Sequence, residues 1–209
     1  MVEDGRTVYL VDDDEAIRRS AGFMLRTSGY AVKPFPSGVE FLKEVKDLER
    51  GCVLLDVRMP GMDGIEVQRE LRNRGIAYPV IVMTGHGDVS VAVQAMKAGA
   101  VDFIEKPFEK AVLLHAIDEG FARIEQSDRA KARTEEAQVR LEALTPREKD
   151  VLQGLARGLP NKTIGYDLGI SPRAVEIHRA NLMSKLGVAS LSEALRVAFA
   201  AGMGESEQA

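Results

Sequence analysis

Five residues of this 209-residue chain have the types and positions for phosphoryl chemistry: Asp12, Asp13, Asp56, Thr84 and Lys106. Each follows a short apolar run. Thr7–Val11 runs into Asp12-Asp13-Asp14-Glu15, residues 52–55 into Asp56, residues 80–83 into Thr84, and residues 101–105 into Lys106. Short apolar runs bounded by turn residues read as buried parallel strands. Open α/β sheets bind ligands outside the carboxyl ends of such strands. If the first strand is central and the third lies beside it, Asp12, Asp13 and Asp56 meet at one mouth. Three close carboxylates repel one another unless a cation joins them, and an all-oxygen donor set suits Mg²⁺. Lys106 adds a fixed positive charge, Thr84 a hydroxyl, and Gly85 room beside them. Such a group would hold a phosphoryl on Asp56, a carboxylate nucleophile whose developing charge the metal, Lys106 and Thr84 stabilise. The plainer alternative, helix-capping acids and a surface lysine, suits Asp14, which has the N-cap residue type for the first helix.

These strand ends need a sheet to hold them. Strands are expected at 7–11, 31–35, 52–56, 80–84 and 101–105. Helices follow at 14–28, near 39–45, at 65–73, at 88–98 after the turn Gly85-His86-Gly87, and from about 108. Five βα alternations imply a parallel sheet with helices on both faces. The last helical pattern does not stop with the sheet. Residues 126–141 are rich in Ala, Glu, Arg and Lys and carry no Pro. One unbroken helix over 108–141 would be roughly 50 Å long at about 1.5 Å per residue; a flexible tether is the alternative.

Thr145-Pro146-Arg147-Glu148 opens a second domain with a capping residue, a proline suited to the first helical position, and a glutamate three residues after the cap. Helices are expected to end before Gly158 and to span 161–168, 172–186 and about 190–200. The tight turn Gly169-Ile170-Ser171 makes the second and third a helix-turn-helix. On the third, Val175, Leu182 and Leu186 fall on one face with Met183, and Arg173, Glu176, Ile177 and Ala180 fall on the other.

Charge separates the two parts. Residues 1–122 hold 15 Lys/Arg against 20 Asp/Glu, a net of −5; residues 123–140 are +1, and residues 141–209 are neutral. Nucleic-acid binding by the last part must therefore gather its positive charge on one face. The single Cys52 lies in an apolar strand, excludes an internal disulfide, and reads as an inert core residue. No secretory signal pattern opens the chain, and the longest uncharged run, 75–87, is too short to span a bilayer. A cytoplasmic protein is expected.

Asp12-Asp13, Asp56-x-x-Met-Pro-Gly-Met-Asp-Gly, Thr84-Gly85 and Lys106-Pro107-Phe108 resemble the receiver domain of two-component response regulators. Leu144-Thr-Pro-Arg-Glu, Asn161-Lys-Thr-Ile and Ser171-Pro-Arg-Ala-Val-Glu-Ile-His through Gly187 resemble the LuxR-type (NarL-class) DNA-binding domain. Thr84-Gly-His-Gly-Asp-Val and Val101-Asp-Phe-Ile-Glu-Lys-Pro-Phe108 are most similar to the FixJ subgroup. The resemblance implies a CheY-like, flavodoxin-like doubly wound receiver over 1–122. A helical linker over 123–140 and a four-helix DNA-binding domain over 141–209 would follow.

It implies that Asp56 accepts a phosphoryl group from a sensor histidine kinase. Mg²⁺ would be held by Asp13, Asp56 and the backbone carbonyl of Arg58, with Asp12 acting mainly through water. Lys106-Pro107 would be cis, and Phe103 would take the place of the switch aromatic, without a tyrosine's hydroxyl. Val91 is placed either on the signalling surface of helix 4, strand 5 and helix 5 or in the core.

In the second domain the resemblance puts Arg173, Glu176, Ile177 and Ala180 near base edges in the major groove. Lys162, Thr163, His178, Arg179 and Lys185 become phosphate or backbone contacts. Glu176 has two readings, an acceptor for cytosine N4 or an ion-pair partner for Arg173 or Arg179. His178 likewise fits packing or phosphate contact. Gly165-Tyr166 departs from the family's usual Ala and charged residue, and Gly165 should weaken its helix by roughly 1 kcal/mol relative to Ala.

The implied function is a phosphorylation-controlled transcriptional activator that dimerises when phosphorylated, binds double-stranded promoter DNA and engages RNA polymerase, without membrane contact. The receiver would promote only its own phosphotransfer and autodephosphorylation. Two alternatives remain: a constitutive DNA binder with a receiver used for dimerisation, and a Mg²⁺-dependent phosphatase with Asp56 as nucleophile. Haloacid-dehalogenase-type enzymes carry an Asp-x-Asp pair that Asp56-Val57-Arg58 lacks.

Overall fold

The computed structural model describes residues 6–85 and 89–204. The expected turn at His86-Gly87, the helix start at Asp88 and the chain end at 205–209 lie outside the described residues. The chain divides into two compact units, Met1–Gln126 and Ser127–Ala209.

The first unit alternates β1 (Thr7–Val11), α1 (Glu15–Arg26), β2 (Ala31–Phe35), α2 (Gly38–Glu44), β3 (Cys52–Asp56), α3 (Gly64–Asn73), β4 (Val80–Thr84), α4 (Val89–Lys97), β5 (Asp102–Glu105) and the start of α5 (Lys110–Glu142). The strands form one parallel sheet in the order β2-β1-β3-β4-β5. The two-residue strand period divides β3 between two cores. Val53 and Leu55 pack with Phe41, Val67 and Ala95 beneath α2, α3 and α4; Cys52 and Leu54 pack with Leu25, Leu113 and Ile117 beneath α1 and α5. Both faces of β3 are buried, which is why its sequence is an unbroken apolar run rather than an alternating one. Gly120 lets α5 approach closely, since a Cβ there would stand 2.6 Å from the Cys52 sulfur.

Position in the sheet places the site. β1 and β3 are neighbours, so their carboxyl ends meet; Val11 pairs with Leu55, one residue short of Asp12 and Asp56. The chain turns outward on either side of β1, to β2 and to β3, and leaves a crevice at that end.

Residues 123–140 lie within α5. Its last turns are less purely a linker than their composition suggests. Ala137 and Leu141, with Leu144, recur at helical spacing and are buried in the core of the second unit.

That core is completed by α6 (Pro146–Ala156), α7 (Asn161–Leu168), α8 (Pro172–Leu186) and α9 (Leu191–Ala200). Thr145 and Glu148 form a reciprocal capping box at α6, and Ser171 caps α8. Between α7 and α8, Gly169 takes the left-handed conformation (φ 67°) that stops one helix and aims the next. Gly165 is not the simple weakness expected from propensity. A Cβ there would stand 2.8 Å from the Ile170 carbonyl oxygen, so the residue allows the turn to fold back on α7.

Candidate functional site

The sheet brings Asp12, Asp13, Asp56, Thr84 and Lys106 to its carboxyl edge. Asp12 and Asp56 are buried, Thr84 is buried, Asp13 is exposed, and one oxygen from each of the three acids lies within 4.8 Å of the others. Lys106 Nζ donates to Asp12 Oδ2 at 2.6 Å and reaches Asp56 Oδ1 at 2.9 Å, so one ammonium bridges the two buried carboxylates. The Lys106-Pro107 bond is cis, and the Lys106 N–H donates to the Thr84 carbonyl at 2.8 Å. Backbone thus ties the ends of β4 and β5 together beneath the lysine.

The remaining donors fix the acids. Asp12 Oδ1 accepts from the Asp14 N–H at 2.8 Å, and Asp14 caps α1 by accepting from the Ala16 N–H. Arg18 Nη1 donates to the carbonyls of Asp12 at 2.7 Å and Asp13 at 2.8 Å. Sequence reasoning passed over Arg18; its place one helical turn after four consecutive acids was the available signal. Gly64 packs so tightly under the site that a Cβ would stand 2.4 Å from the Asp56 carbonyl oxygen.

Burial raises the Asp56 pKa, and the charges of Asp12 and Asp13 add to that effect against the opposing pull of Lys106. For Lys106, burial disfavours the ammonium, yet its bonds to Asp12 and Asp56 outweigh burial and hold the pKa above its ordinary value. Two buried acids share one cation, so a residual negative charge remains at a mouth lined by oxygen. That donor set fits Mg²⁺, and the acidic pocket is compatible with its binding. Arg58 is exposed beside it, and Phe103 is 38 % exposed on β5.

The second unit presents its candidates differently. Arg173, Glu176, Ile177 and Ala180 line one open concavity of about 570 Å³ on α8, and Ile177 is 56 % exposed. Among the described residues Glu176 forms no ion pair with Arg173 or Arg179. Arg179 instead donates to Asn161 Oδ1 at 3.2 Å, which leaves Glu176 facing outward. Lys162 is exposed, and Thr163 and His178 are half-buried. Lys185 is engaged: its Nζ lies 2.8 Å from Oε2 of the buried Glu148, the same oxygen that accepts from the Thr145 N–H. That pair joins residues 37 apart in sequence, and no local pattern announces it.

Val91 is partly buried against the core, whereas Val93 and Met96 on α4 and Val112 on α5 are exposed. Among the described residues no helix is long and apolar enough to cross a membrane.

An acidic pocket at the crevice of a doubly wound parallel sheet, followed by a helix-turn-helix unit, defines a receiver coupled to a DNA-binding output. Residues 8–118 match the response regulator receiver domain, and residues 142–198 match the luxR family of bacterial regulatory proteins. The chain is 48 % identical over 202 residues to the transcriptional regulatory protein FixJ of Azorhizobium caulinodans, covering 97 % of this chain and 96 % of that one. Among solved structures it is similar to the response regulator StyR, at 40 % identity and a TM-score of 0.73 over 93 % of this chain and 98 % of that one. Full-length FixJ from B. japonicum gives 44 % identity and a TM-score of 0.61 over 95 % and 98 % of the two chains. The chain belongs to the response regulators with a LuxR-type output, as a FixJ-like, phosphorylation-controlled transcription regulator. The receiver implies a histidine kinase partner, and the output domain implies DNA.

Proposed function

We propose that Asp56 is the phosphoacceptor of this regulator. The observation that carries the assignment is the Lys106 ammonium bridging Asp12 and Asp56 at the carboxyl edge of the sheet. Asp56 attacks the phosphorus of a phosphohistidine on the kinase; the P–O bond forms, the P–N bond breaks, and the electron pair returns to the imidazole. Lys106 then pairs with a phosphoryl oxygen, and the Thr84 hydroxyl donates to another. Asp13, Asp56 and the Arg58 backbone carbonyl would hold Mg²⁺, with Asp12 acting mainly through water. When bound, that ion neutralises charge developing on the transferring phosphoryl group. Chemistry is confined to the receiver's own phosphotransfer and autodephosphorylation.

Phosphorylation draws Thr84 toward the phosphoryl group, and Phe103 follows from its partly exposed position. Because Phe103 has no hydroxyl, its signal is burial of the ring. The exposed apolar residues Val93, Met96, Phe103 and Val112 lie on α4, β5 and α5, the elements through which we propose that phosphorylated receivers pair. The dimer presents two copies of α8 to a two-fold site in promoter DNA. Arg173, Glu176, Ile177 and Ala180 read base edges there; Glu176 accepts from cytosine N4, a role supported by its lack of an intrahelical partner. Lys162, Thr163, His178 and Arg179 contact the backbone. Lys185 acts through the donors that Glu148 leaves free. DNA-bound dimers then engage RNA polymerase as activators, in the cytoplasm.

The test compares DNA affinity at fixed salt for the full chain and for the second unit, Ser127–Ala209, each with and without Mg²⁺ and beryllofluoride. Tight binding by the activated full chain, with weak binding by the fragment, supports dimerisation as the receiver's contribution. Fragment binding that exceeds the resting full chain's indicates inhibition released on activation. DNA affinity of the full chain that does not respond to the phosphoryl mimic contradicts the proposal.

A further inference from the structure

Between α3 and α4, away from the acidic pocket, lie two depressions that share Arg72 and Ala98. The first, about 350 Å³, is floored by Leu71, Ile76, Tyr78 and Val80 and includes Gln68. The second, about 330 Å³, is lined by Arg69, Arg72 and Lys97 with Ile65. No acid lines either one, although residues 1–122 carry a net charge of −5. Arg69 and Lys97 are exposed and form no ion pair among the described residues; Arg72 donates to the Ala98 carbonyl.

Gln68 supplies a second, independent observation. It is 4 % exposed, its Nε2 donates to the Ala95 carbonyl at 3.3 Å, and its Oε1 has no partner. A buried acceptor without a donor is a costly arrangement in a folded protein. The groove therefore offers three complementary features side by side: an apolar floor, a buried acceptor without a donor, and two exposed cations, Arg69 and Lys97, that form no ion pair among the described residues.

We propose that this groove docks an acidic segment of a partner protein in extended form. A backbone N–H of the segment donates to Gln68 Oε1, an aliphatic side chain rests against Leu71, Ile76 and Tyr78, and carboxylates face Arg69, Arg72 and Lys97. Both depressions are open to solvent and adjoin at Arg72 and Ala98, a shape suited to an extended chain that crosses this border rather than to a small molecule, whose sites enclose most of the ligand. The proposal is independent of the role assigned to Asp56.

The probe is the blocked peptide acetyl-Glu-Glu-Leu-Glu-Glu-amide, titrated into the full-length protein and followed by amide chemical shifts. The expected result is saturable shifts confined to α3, α4 and the segment around Tyr78. Affinity should fall about tenfold in the double variant R69E/K97E, whose side chains are exposed and outside the core. It should fall about threefold in Gln68→Leu, which removes only the acceptor, and when serine replaces the peptide leucine. Thermal melting of both variants confirms that the fold is retained. Absence of saturable shifts at millimolar peptide, shifts centred elsewhere, or equal affinity in R69E/K97E overturns the proposal. So does saturation of the same residues by benzoate or by a single-stranded oligonucleotide when the peptide leaves them unmoved.

Discussion

The receiver pocket and the surface of α8 solve opposite problems. In the pocket, Asp12 and Asp56 are buried, so these two carboxylates must find a partner within the fold. Asp12 and Asp56 share Lys106, and Arg18 holds the carbonyls of Asp12 and Asp13. On α8, Arg173, Glu176 and Ile177 face outward, and in the role proposed for them the geometry they need belongs to the DNA. A reactive site is preorganised before its substrate arrives, whereas a reading surface is completed by what it reads. Substitutions should therefore act on chemistry and on electrostatic balance in the first region, and on selectivity in the second.

The largest expected effect is at Lys106. Lys106→Met should slow phosphorylation of the receiver by about 100-fold, by analogy with loss of one preorganised charge at a reacting centre. The rate of phosphate incorporation from a small-molecule phosphodonor measures it. The same variant leaves two buried carboxylates without their cation and should cost about 2 kcal/mol in urea unfolding at neutral pH. Equal rates in the variant and the wild type would remove the contrast between the two regions.

The Glu148–Lys185 pair tests whether preorganisation extends into the second unit. Burial pushes the Glu148 pKa up, but Lys185 and the Thr145 backbone and hydroxyl more than reverse this, so the folded value lies below the ordinary 4.5. A depressed carboxylate pKa stabilises the fold above the ordinary value, and that stability is lost as pH falls from there through the lower folded value. Glu148→Gln should flatten this part of the acid-unfolding profile, and Glu148→Ala should cost about 2 kcal/mol at neutral pH. A wild-type profile that keeps its stability below pH 4.5 would contradict the pairing.

At the reading surface the effects should appear in selectivity. Glu176→Ala should relax preference for cytosine at one position in each half-site by about 1–3 kcal/mol. Affinity selection from a randomised site library measures this, and Arg58 variants should leave it unchanged. The smallest effect carries an informative sign. Helix propensity alone would make Gly165→Ala stabilising by about 1 kcal/mol. The 2.8 Å approach of the Ile170 carbonyl to the added carbon makes it destabilising instead, by a similar amount in thermal melting.

The same contrast explains what could be read from residues alone. Asp56 stood out because an apolar run buried on both faces ends in a carboxylate, and burial with charge marks function. Thr145 and Glu148 were legible because a capping box is local. The partnership of Glu148 with Lys185, the exposure of Val93 and Met96 in place of Val91, and the burial of Ala137 and Leu141 were not. Each depends on which helix faces which, and that is decided by packing between segments distant in sequence. Gly165 misled because propensity describes an isolated helix, not one against which a turn folds back.

The most direct test of the central claim is to locate the phosphoryl group. Full-length protein is incubated with Mg²⁺ and either a phosphorylated histidine kinase or a small-molecule phosphodonor. The acyl phosphate is then trapped by borohydride reduction and mapped by peptide mass spectrometry. The account predicts modification at Asp56 alone and none in Asp56→Asn. Modification at another residue, or phosphorylation retained by Asp56→Asn, would contradict it.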